Sequence, residues 1–306
     1  VSDVITYEFE NIDYDGLKRL TEIAYVPQGA ELVRTTQDRI LEKAAITQAG
    51  SPVAPYIVAN DYQELLANVQ TIGYPCVVKT ARGGYDGKGQ LTLQSAADLV
   101  GAEKLFEHSA CVAEAFVPFV KEVSVIVQRN TLGETYCLPM GENVHVNHIL
   151  HETIVPARVA DKTIAQAEQE AVKIADALNL IGTLAVEMFV LEDGSIVINE
   201  LAPRPHNSGH YSIEACNISQ FHQHIRAVCG WPLRKPRLHA PSIMVNVLGQ
   251  HVVPVINSIG KYPDWSIHLY GKSEAKHNRK MGHVTIMTDD LNHTLQQIQQ
   301  SAIWAE

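Results

Sequence analysis

Gly182-Thr183-Leu184-Ala185-Val186-Glu187-Met188-Phe189-Val190-Leu191-Glu192-Asp193-Gly194-Ser195-Ile196-Val197-Ile198-Asn199-Glu200 is the stretch from which the rest of this chain is read. Two apolar runs flank Asp193-Gly194, a dipeptide suited to the positive φ angles of a two-residue hairpin turn. With that turn Glu192 pairs with Ser195, and counting back along the ladder sets Glu187 opposite Glu200. Opposed carboxylates on one sheet face repel, and in an apolar ladder each also carries a desolvation cost. A cation between them relieves both. Hard divalent ions that hold phosphates favour such paired oxygens, so the pattern points to Mg²⁺ carrying a nucleotide. The competing reading is a solvated hairpin edge with both glutamates in water.

The chain has 306 residues, 46% hydrophobic and 19% charged, enough for a large core and more than one domain. No apolar run reaches the length of a bilayer span, and Val1-Ser2-Asp3-Val4 lacks the pattern of a signal peptide, so no membrane is expected and the cytoplasm is the expected location. Cys76, Cys111, Cys137, Cys216 and Cys229 have no CxxC spacing and mostly sit in apolar runs, which indicates neither disulfides nor zinc. A net charge of −10 without an offsetting basic cluster argues against nucleic acid as a partner. Small anionic ligands must then be met by local cationic pockets.

Working outward to the N-terminal side, Val4 to Asn11 reads as a strand and Tyr14 to Ala24 as a helix. Such an opening leads one to expect upstream βαβ units, since a parallel strand needs neighbours. Glu8 and Glu10 then sit at a strand end, where open α/β sheets bind ligands. Thr36-Gln37-Asp38-Arg39 opens a helix to Ala49, and Arg39 in its first turn is poorly placed for the helix dipole unless an anion is near. A helix over Asp61 to Ile72 is followed by a strand, Cys76 to Thr80. Arg82-Gly83-Gly84-Tyr85-Asp86-Gly87-Lys88-Gly89-Gln90 then leads to the strand Leu91 to Leu93. A loop this rich in glycine can wrap an anion with its amides, although it fits neither the P-loop nor the dinucleotide fingerprint. Lys79, Arg82 and Lys88 beside it favour phosphate over a loose hairpin tip.

Ser95 to His108 reads as a helix, and Cys111 to Val117 and Lys121 to Gln128 as strands joined by an extended link with Glu114 and Glu122 at its ends. Such a link suits an adenosine, with main chain for the base and a carboxylate for the ribose. His145, His148 and His151 alternate faces if they lie on a strand, so a metal centre built from the three is not expected. Asp161 to Leu180 is an amphipathic structural helix. After the hairpin, Asn199-Glu200-Leu201-Ala202-Pro203-Arg204-Pro205-His206-Asn207-Ser208-Gly209-His210 is dense in anion-binding and proton-transferring side chains, and its prolines fix where Arg204 and His206 point. In the helix Ile218 to Cys229, His222 and His224 are expected on the polar face. From about Pro236 short strands (Ser242 to Leu248, Ser266 to Tyr270, His283 to Met287) and a helix from Leu291 read as a small β-rich domain. Its basic stretch from Tyr270 to His283 can hold a phosphate.

Four of these motifs, in this order, resemble the ATP-grasp ligases of the N5-carboxyaminoimidazole ribonucleotide synthetase family of bacterial and fungal purine synthesis. They are Thr6-Tyr7-Glu8-Phe9-Glu10-Asn11, Gly83 to Gln90, Asn199 to His210, and Arg279-Lys280-Met281-Gly282-His283. The middle two are partly shared with other ATP-grasp enzymes, and their combination with the last is more specific. The resemblance covers essentially the whole chain, but the family's first βαβ units, with a glycine-rich loop for the ribonucleotide, are absent from the sequence.

What the resemblance implies is an α/β (α+β) ATP-grasp fold: residues 1–34 a remnant of a Rossmann-like N-terminal domain, 35–235 the ATP-grasp domain with a mobile lid at about 76–117, and 236–306 a small C-terminal domain. The implied reaction activates bicarbonate with ATP as carboxyphosphate, then carboxylates 5-aminoimidazole ribonucleotide. Catalysis would be mostly placement and charge neutralisation. By position, Arg39, Lys79 and the loop Gly84, Tyr85, Asp86, Gly87, Lys88, Gly89 and Gln90 resemble the phosphate grip, and Glu114, Ala115, Phe116 and Val117 the adenine hinge. Glu122 resembles the ribose carboxylate and His145 a further nucleotide contact, while Glu187, Asn199 and Glu200 resemble the Mg²⁺ and ATP site. Arg204 and Asn207 are placed for bicarbonate or carboxyphosphate. Tyr85, Asp86, His206, Lys272 and Arg279 resemble the aminoimidazole ribonucleotide site, with Asp86 or His206 as the proton relay. A homodimer is the family's expected assembly. The rival readings are another carboxylating or formylating ATP-grasp ligase, and a non-catalytic nucleotide-binding module.

Overall fold

The computed structural model describes residues 2–84, 88–107 and 109–304. Helix α1 (Tyr14–Ile23) begins where Asp13 accepts the Gly16 amide, and α2 (Glu31–Thr36) follows. The strand expected over Val4 to Asn11 is not formed. Its polar–apolar pattern is present, but a strand needs a partner ladder. Here Ile5 donates its amide to the Tyr25 carbonyl at 2.9 Å, and Tyr7 packs with Leu17, Val26, Ala30 and Val33. Helix α3 (Arg39–Gln48) starts at the expected signal, with Asp38 accepting the Ile40 and Leu41 amides.

A four-stranded antiparallel sheet comes next: β1 (Tyr56–Ala59), helix α4 (Tyr62–Asn68), β2 (Cys76–Thr80), β3 (Gln90–Leu93) and β4 (Cys111–Ala115). Its order is β1-β4-β2-β3, around a core of its own that includes Leu65, Val69, Val78 and Leu93. The helix expected from Ser95 is instead a run of 3₁₀ turns, Ala96–Glu107. Asp98 accepts the Gln94 and Ser95 amides and Gly101 interrupts the middle of the run, both of which weaken a regular helix.

The larger sheet is built from β5 (Lys121–Arg129), β6 (Thr135–Cys137), β7 (Gly141–Val146), β8 (Ile149–Val155), β9 (Gly182–Val190) and β10 (Ile196–Ala202), with α5 (Asp161–Ala177) lying between β8 and β9 in the chain. Helix α5 packs Ala167, Ala171 and Ile174 against Val125, Leu184 and Val186. Helices α6 (Ser212–Ala215) and α7 (Gln220–Val228) follow, then β11 (Ser242–Leu248), α8 (Val252–Ser258), β12 (Ser266–Leu269), β13 (Lys280–Met287) and α9 (Leu291–Gln300). The three late strands join the same sheet, in the order β10-β9-β5-β7-β8-β11-β13-β12. Their seam is the antiparallel pairing of β11 with β8, from Ser242 opposite Val155 to Val245 opposite Glu152.

The hairpin ends where the sequence places it, by a different route. Leu191 donates to the Ser195 carbonyl and Gly194 to that of Leu191, each at 2.9 Å, with Gly194 at φ +82°. The turn therefore uses Glu192, Asp193 and Gly194, and Val190 rather than Leu191 faces Ile196. That one-residue offset is undone by a bulge between Ile198 and Glu200, after which Glu187 lies opposite Glu200.

On α7, His224 is a correction to the expected polar face. It is 4% exposed and bonds Thr6 Oγ1 at 2.8 Å and Thr183 Oγ1 at 3.2 Å, because this side of the helix lies on β9. His222 is exposed. All five cysteines are free thiols, and among the described residues no helix is long and apolar enough to cross a membrane.

Candidate active site

The site grows from the bulge. Glu187 and Glu200 oppose each other on adjacent strands, with side chains 13% and 47% exposed. His206 Nε2 lies 3.0 Å from Glu187 Oε1, and Arg39 Nη2 lies 3.8 Å from Glu200 Oε2. Burial pushes the Glu187 carboxyl up, but the charge and hydrogen bond of His206, with His145 and Lys280, outweigh it and hold Glu187 below the usual carboxylate range. Glu200 goes the other way. Crowding by surrounding protein and then the Glu187 charge raise it, only partly offset by Arg39, Lys79 and His206, even though half its surface reaches solvent. The register inferred from the sequence thus sets the two carboxylates opposite each other, and Glu200 keeps an open surface.

Behind the bulge, Lys43 is 1% exposed and donates to the Asn199 carbonyl and to Glu114 Oε2, both at 2.9 Å. Lys79 holds the other Glu114 oxygen at 3.1 Å. Burial raises Glu114, yet the two lysines more than compensate and keep it readily ionised. Beside Lys43, Glu42 is 3% exposed and accepts the Leu201 amide at 2.7 Å. Burial, then the Glu200 charge, push Glu42 up to about 8. Neither Glu42 nor Lys43 was expected, because charged residues on an amphipathic helix read as its wet face. The signal was spacing: Arg39, Glu42, Lys43 and the fully buried Ile46 share one helical stripe.

The glycine loop closes on the same place. A Cβ at Gly84 would lie 2.8 Å from the Lys88 carbonyl and 3.8 Å from Arg39 Nη2, and one at Gly89 would lie 2.7 Å from Thr80 Oγ1. Only glycine lets the two ends of the loop meet so closely beside Arg39. Gln90 begins β3, opposite Lys79, whereas Arg82 is paired with Asp38 at 2.9 Å. Tyr85, Asp86 and Gly87 lie outside the described residues.

At the hinge, the Ala115 amide is taken by the Pro55 carbonyl at 2.8 Å and that of Phe116 by Pro75 at 3.0 Å, while Val117 accepts from Phe119 at 2.9 Å. Phe119 stacks on Phe189 with ring centres 4.5 Å apart. Glu122 on β5 meets His145 on β7 at 3.2 Å. Burial lowers His145, but Glu122 and then Glu187 raise it further, so the net direction is up. His148 lies in the turn between β7 and β8 at φ +63°, and His151 meets Glu152 at 3.5 Å. Among the described residues no trio of His, Cys, Asp or Glu is grouped to hold a metal.

Past the hairpin, Arg204 forms a two-pronged pair with Glu10, through Nε and, at 3.1 Å, through Nη2. Burial raises Glu10 and Arg204 lowers it more. His206 Nδ1 accepts the Ser208 amide at 3.3 Å, and a backbone N–H can only donate, so in the neutral ring Nε2 carries the proton toward Glu187. Gln220 grips the His206 amide and carbonyl at 2.8 and 2.7 Å. Asn207 Nδ2 is buried with no partner among the described residues. Lys272 and Arg279 are exposed and bond main-chain carbonyls of their own loop, Lys280 at 2.7 Å and Glu274 at 3.0 Å. At the root of that loop, the Lys280 charge lowers both Glu187 and His145.

Residues 44–221 match the ATP-grasp domain family, and residues 242–297 match the phosphoribosylaminoimidazole carboxylase C-terminal domain. The chain is 51% identical over 298 residues to the N5-carboxyaminoimidazole ribonucleotide synthase of Bacillus subtilis, covering 97% of this chain and 78% of that one. It is 46% identical over 299 residues to the enzyme of that name from Staphylococcus saprophyticus, covering 97% and 80%. Among solved structures it resembles an ADP complex of an N5-carboxyaminoimidazole ribonucleotide synthetase, with TM-score 0.96, 52% identity and coverage of 99% and 80%. An Aspergillus clavatus enzyme in complex with ADP and 5-aminoimidazole ribonucleotide superposes with TM-score 0.90 at 31% identity, covering 97% and 80%. Both domain matches in order, and half the residues shared over nearly the full length, mean that the chain belongs to the N5-carboxyaminoimidazole ribonucleotide synthase family of ATP-grasp ligases.

Proposed function

We infer that this chain catalyses the ATP-dependent carboxylation of 5-aminoimidazole ribonucleotide to N5-carboxyaminoimidazole ribonucleotide in purine biosynthesis. The observation that carries the reading is the Glu187/Glu200 pair at the bulge, with Arg39 and His206 against it and Lys43 and Lys79 on the neighbouring Glu114, in a chain of this family. Bicarbonate is the proposed carboxyl source. Its oxygen takes the γ-phosphoryl group of ATP to give ADP and carboxyphosphate, and loss of phosphate then delivers CO₂ to the exocyclic amine, which gives up a proton.

In this reading Arg39, Lys79, Gly84, Lys88, Gly89 and Gln90, with Tyr85, Asp86 and Gly87 between them, hold the phosphates. The hinge Glu114–Val117 takes the adenine, and Glu122 with His145 the ribose. Two hard carboxylates on neighbouring strands suit magnesium that is also bound to phosphate oxygens, and Glu187, Glu200 and the adjoining Asn199 would hold it. When bound, magnesium supplies neutralisation of the phosphate charge. Asn207, with its buried amide donor unpartnered, and Arg204 are assigned to bicarbonate and carboxyphosphate. Lys272 and Arg279 are assigned to the ribonucleotide phosphate, and Tyr85 and Asp86 to the same substrate. His206 has both ring nitrogens engaged, which suits it to orient Glu187 and leaves Asp86 as the better carrier for the amine proton.

The domain division at 1–34, 35–235 and 236–306 remains part of this proposal, as does a lid at about 76–117; the small sheet has a separate core, which also takes in Ala59, Leu65 and Val69. A homodimer is likewise proposed, and sedimentation tests it. The decisive experiment supplies labelled bicarbonate and follows ADP release with and without 5-aminoimidazole ribonucleotide. Label in the aminoimidazole product supports the reading; ATP binding with no ribonucleotide-dependent ADP release removes it.

A further inference from the structure

Helix α3 meets the bulge through three side chains on one stripe. Arg39 faces the Glu200 carboxylate at 3.8 Å, Glu42 accepts the Leu201 amide at 2.7 Å, and Lys43 donates to the Asn199 carbonyl at 2.9 Å. The two backbone groups flank Glu200, one on each side. β10 ends its sheet and the bulge interrupts its ladder with β9; on the outer side Ile198 bridges to Val53 and donates to the Pro52 carbonyl at 2.8 Å, but the groups on either side of Glu200 need partners from elsewhere. The helix supplies them.

The choice of residue is informative. Glu42 and Lys43 are 3% and 1% exposed, and buried ionisable groups seldom stabilise a fold better than well-packed apolar side chains do. What they add here is direction: the backbone on both sides of Glu200 is tied to a rigid helix. Lys43 also meets Glu114 at 2.9 Å, whose other oxygen holds Lys79 at 3.1 Å. One buried ammonium therefore joins the bulge on the large sheet to β4 and β2 on the small one.

We propose that Glu42 and Lys43 are positioning residues for Glu200. They clamp Leu201 and Asn199 so that the Glu200 carboxylate stays opposed to Glu187, and Lys43 keeps that pair in register with Glu114 and Lys79. The proposal rests on reading Glu187 and Glu200 as the magnesium site.

The test is calorimetric ADP binding, with Mg²⁺ and with EDTA, to the wild-type chain and to Glu42→Leu, Glu42→Gln and Lys43→Met. In the wild type Mg²⁺ tightens ADP. In Glu42→Leu and Lys43→Met that gain shrinks by about 10-fold or more, the usual effect of losing a supporting residue behind a metal ligand. Glu42→Gln, which keeps an acceptor for the Leu201 amide, retains the gain, so that it is the acceptor and not the charge that counts. A gain undiminished in the folded Leu and Met variants overturns the proposal, and so does equal loss in Glu42→Gln and Glu42→Leu. Should the apolar variants not fold, Glu42→Asp withdraws the same oxygen by one methylene; it is expected to lose the gain, and a full gain there overturns the proposal. A wild type whose ADP affinity ignores Mg²⁺ instead removes the metal reading, and the proposal with it.

Discussion

Glu200 carries two opposing demands, a neighbour that repels its charge and a proposed ion that needs it. Glu200→Gln should therefore abolish Mg²⁺-dependent ADP release. In EDTA it should leave the thermal midpoint unchanged or raise it by about 1–3 °C, the scale of one like-charge cross-strand pair in a chain this size. The sign follows from linkage. The folded-state pKa of Glu200 is raised, so its contribution to stability is greatest below the unfolded value and diminishes as pH rises through the folded one. The variant's advantage should accordingly be seen at neutral rather than acid pH, by thermal scans in EDTA. A clearly lower midpoint for the variant would remove the repulsion argument.

At the scale of elements, the bulge decides the site. The sequence count reached Glu187 opposite Glu200 with a two-residue turn, whereas the structure reaches it with a three-residue turn and a compensating bulge. The pairing was legible because both offsets are single residues of opposite sense; neither was legible alone, since bulges leave no signature in apolar alternation. The α3 clamp was missed for a different reason. Periodicity identifies a stripe, but it takes a three-dimensional partner to show that Glu42 and Lys43 belong to the inward one. Deleting Asn199 tests the element. Pairing on either side of it could persist, but Lys43 would lose its acceptor and keep only Glu114. Stability is expected to fall by roughly 1–3 kcal/mol. Mg²⁺-dependent turnover should fall more steeply than that loss explains, as judged by urea unfolding alongside ADP release.

For the whole molecule, the ATP-grasp class was legible in the order of glycine loop, acidic hairpin and basic tail, and most strands and helices fell where periodicity put them. The strand over Val4 to Asn11 failed because partner strands are not a local property, and His224 was misread because the tertiary contact of α7 with Thr6 and Thr183 is not either. That histidine sets a pH prediction. Burial pushes His224 down to about 4, and burial with the His268 charge pushes His283 to about 3, so both are neutral in the fold. A depressed folded-state pKa contributes stability that is present above the unfolded value and lost as pH falls through it. Stability should decline below about pH 6.5, with His224 alone accounting for about 2 kcal/mol between pH 6.5 and 5. Urea midpoints across that range should fall less for His224→Gln than for the wild type.

The seam between β8 and β11 bears on how the polypeptide could be divided. Residues 231–241 contribute no named strand or helix, and the late strands join the sheet through the ladder from Ser242–Val155 to Val245–Glu152. Two polypeptides made separately, ending and starting near residue 240, should reassociate by strand addition when co-expressed. The first piece alone, with β8 as a bare sheet edge, should aggregate. What looks like a terminal appendage in the order of the chain behaves, for complementation, as the missing third of a sheet.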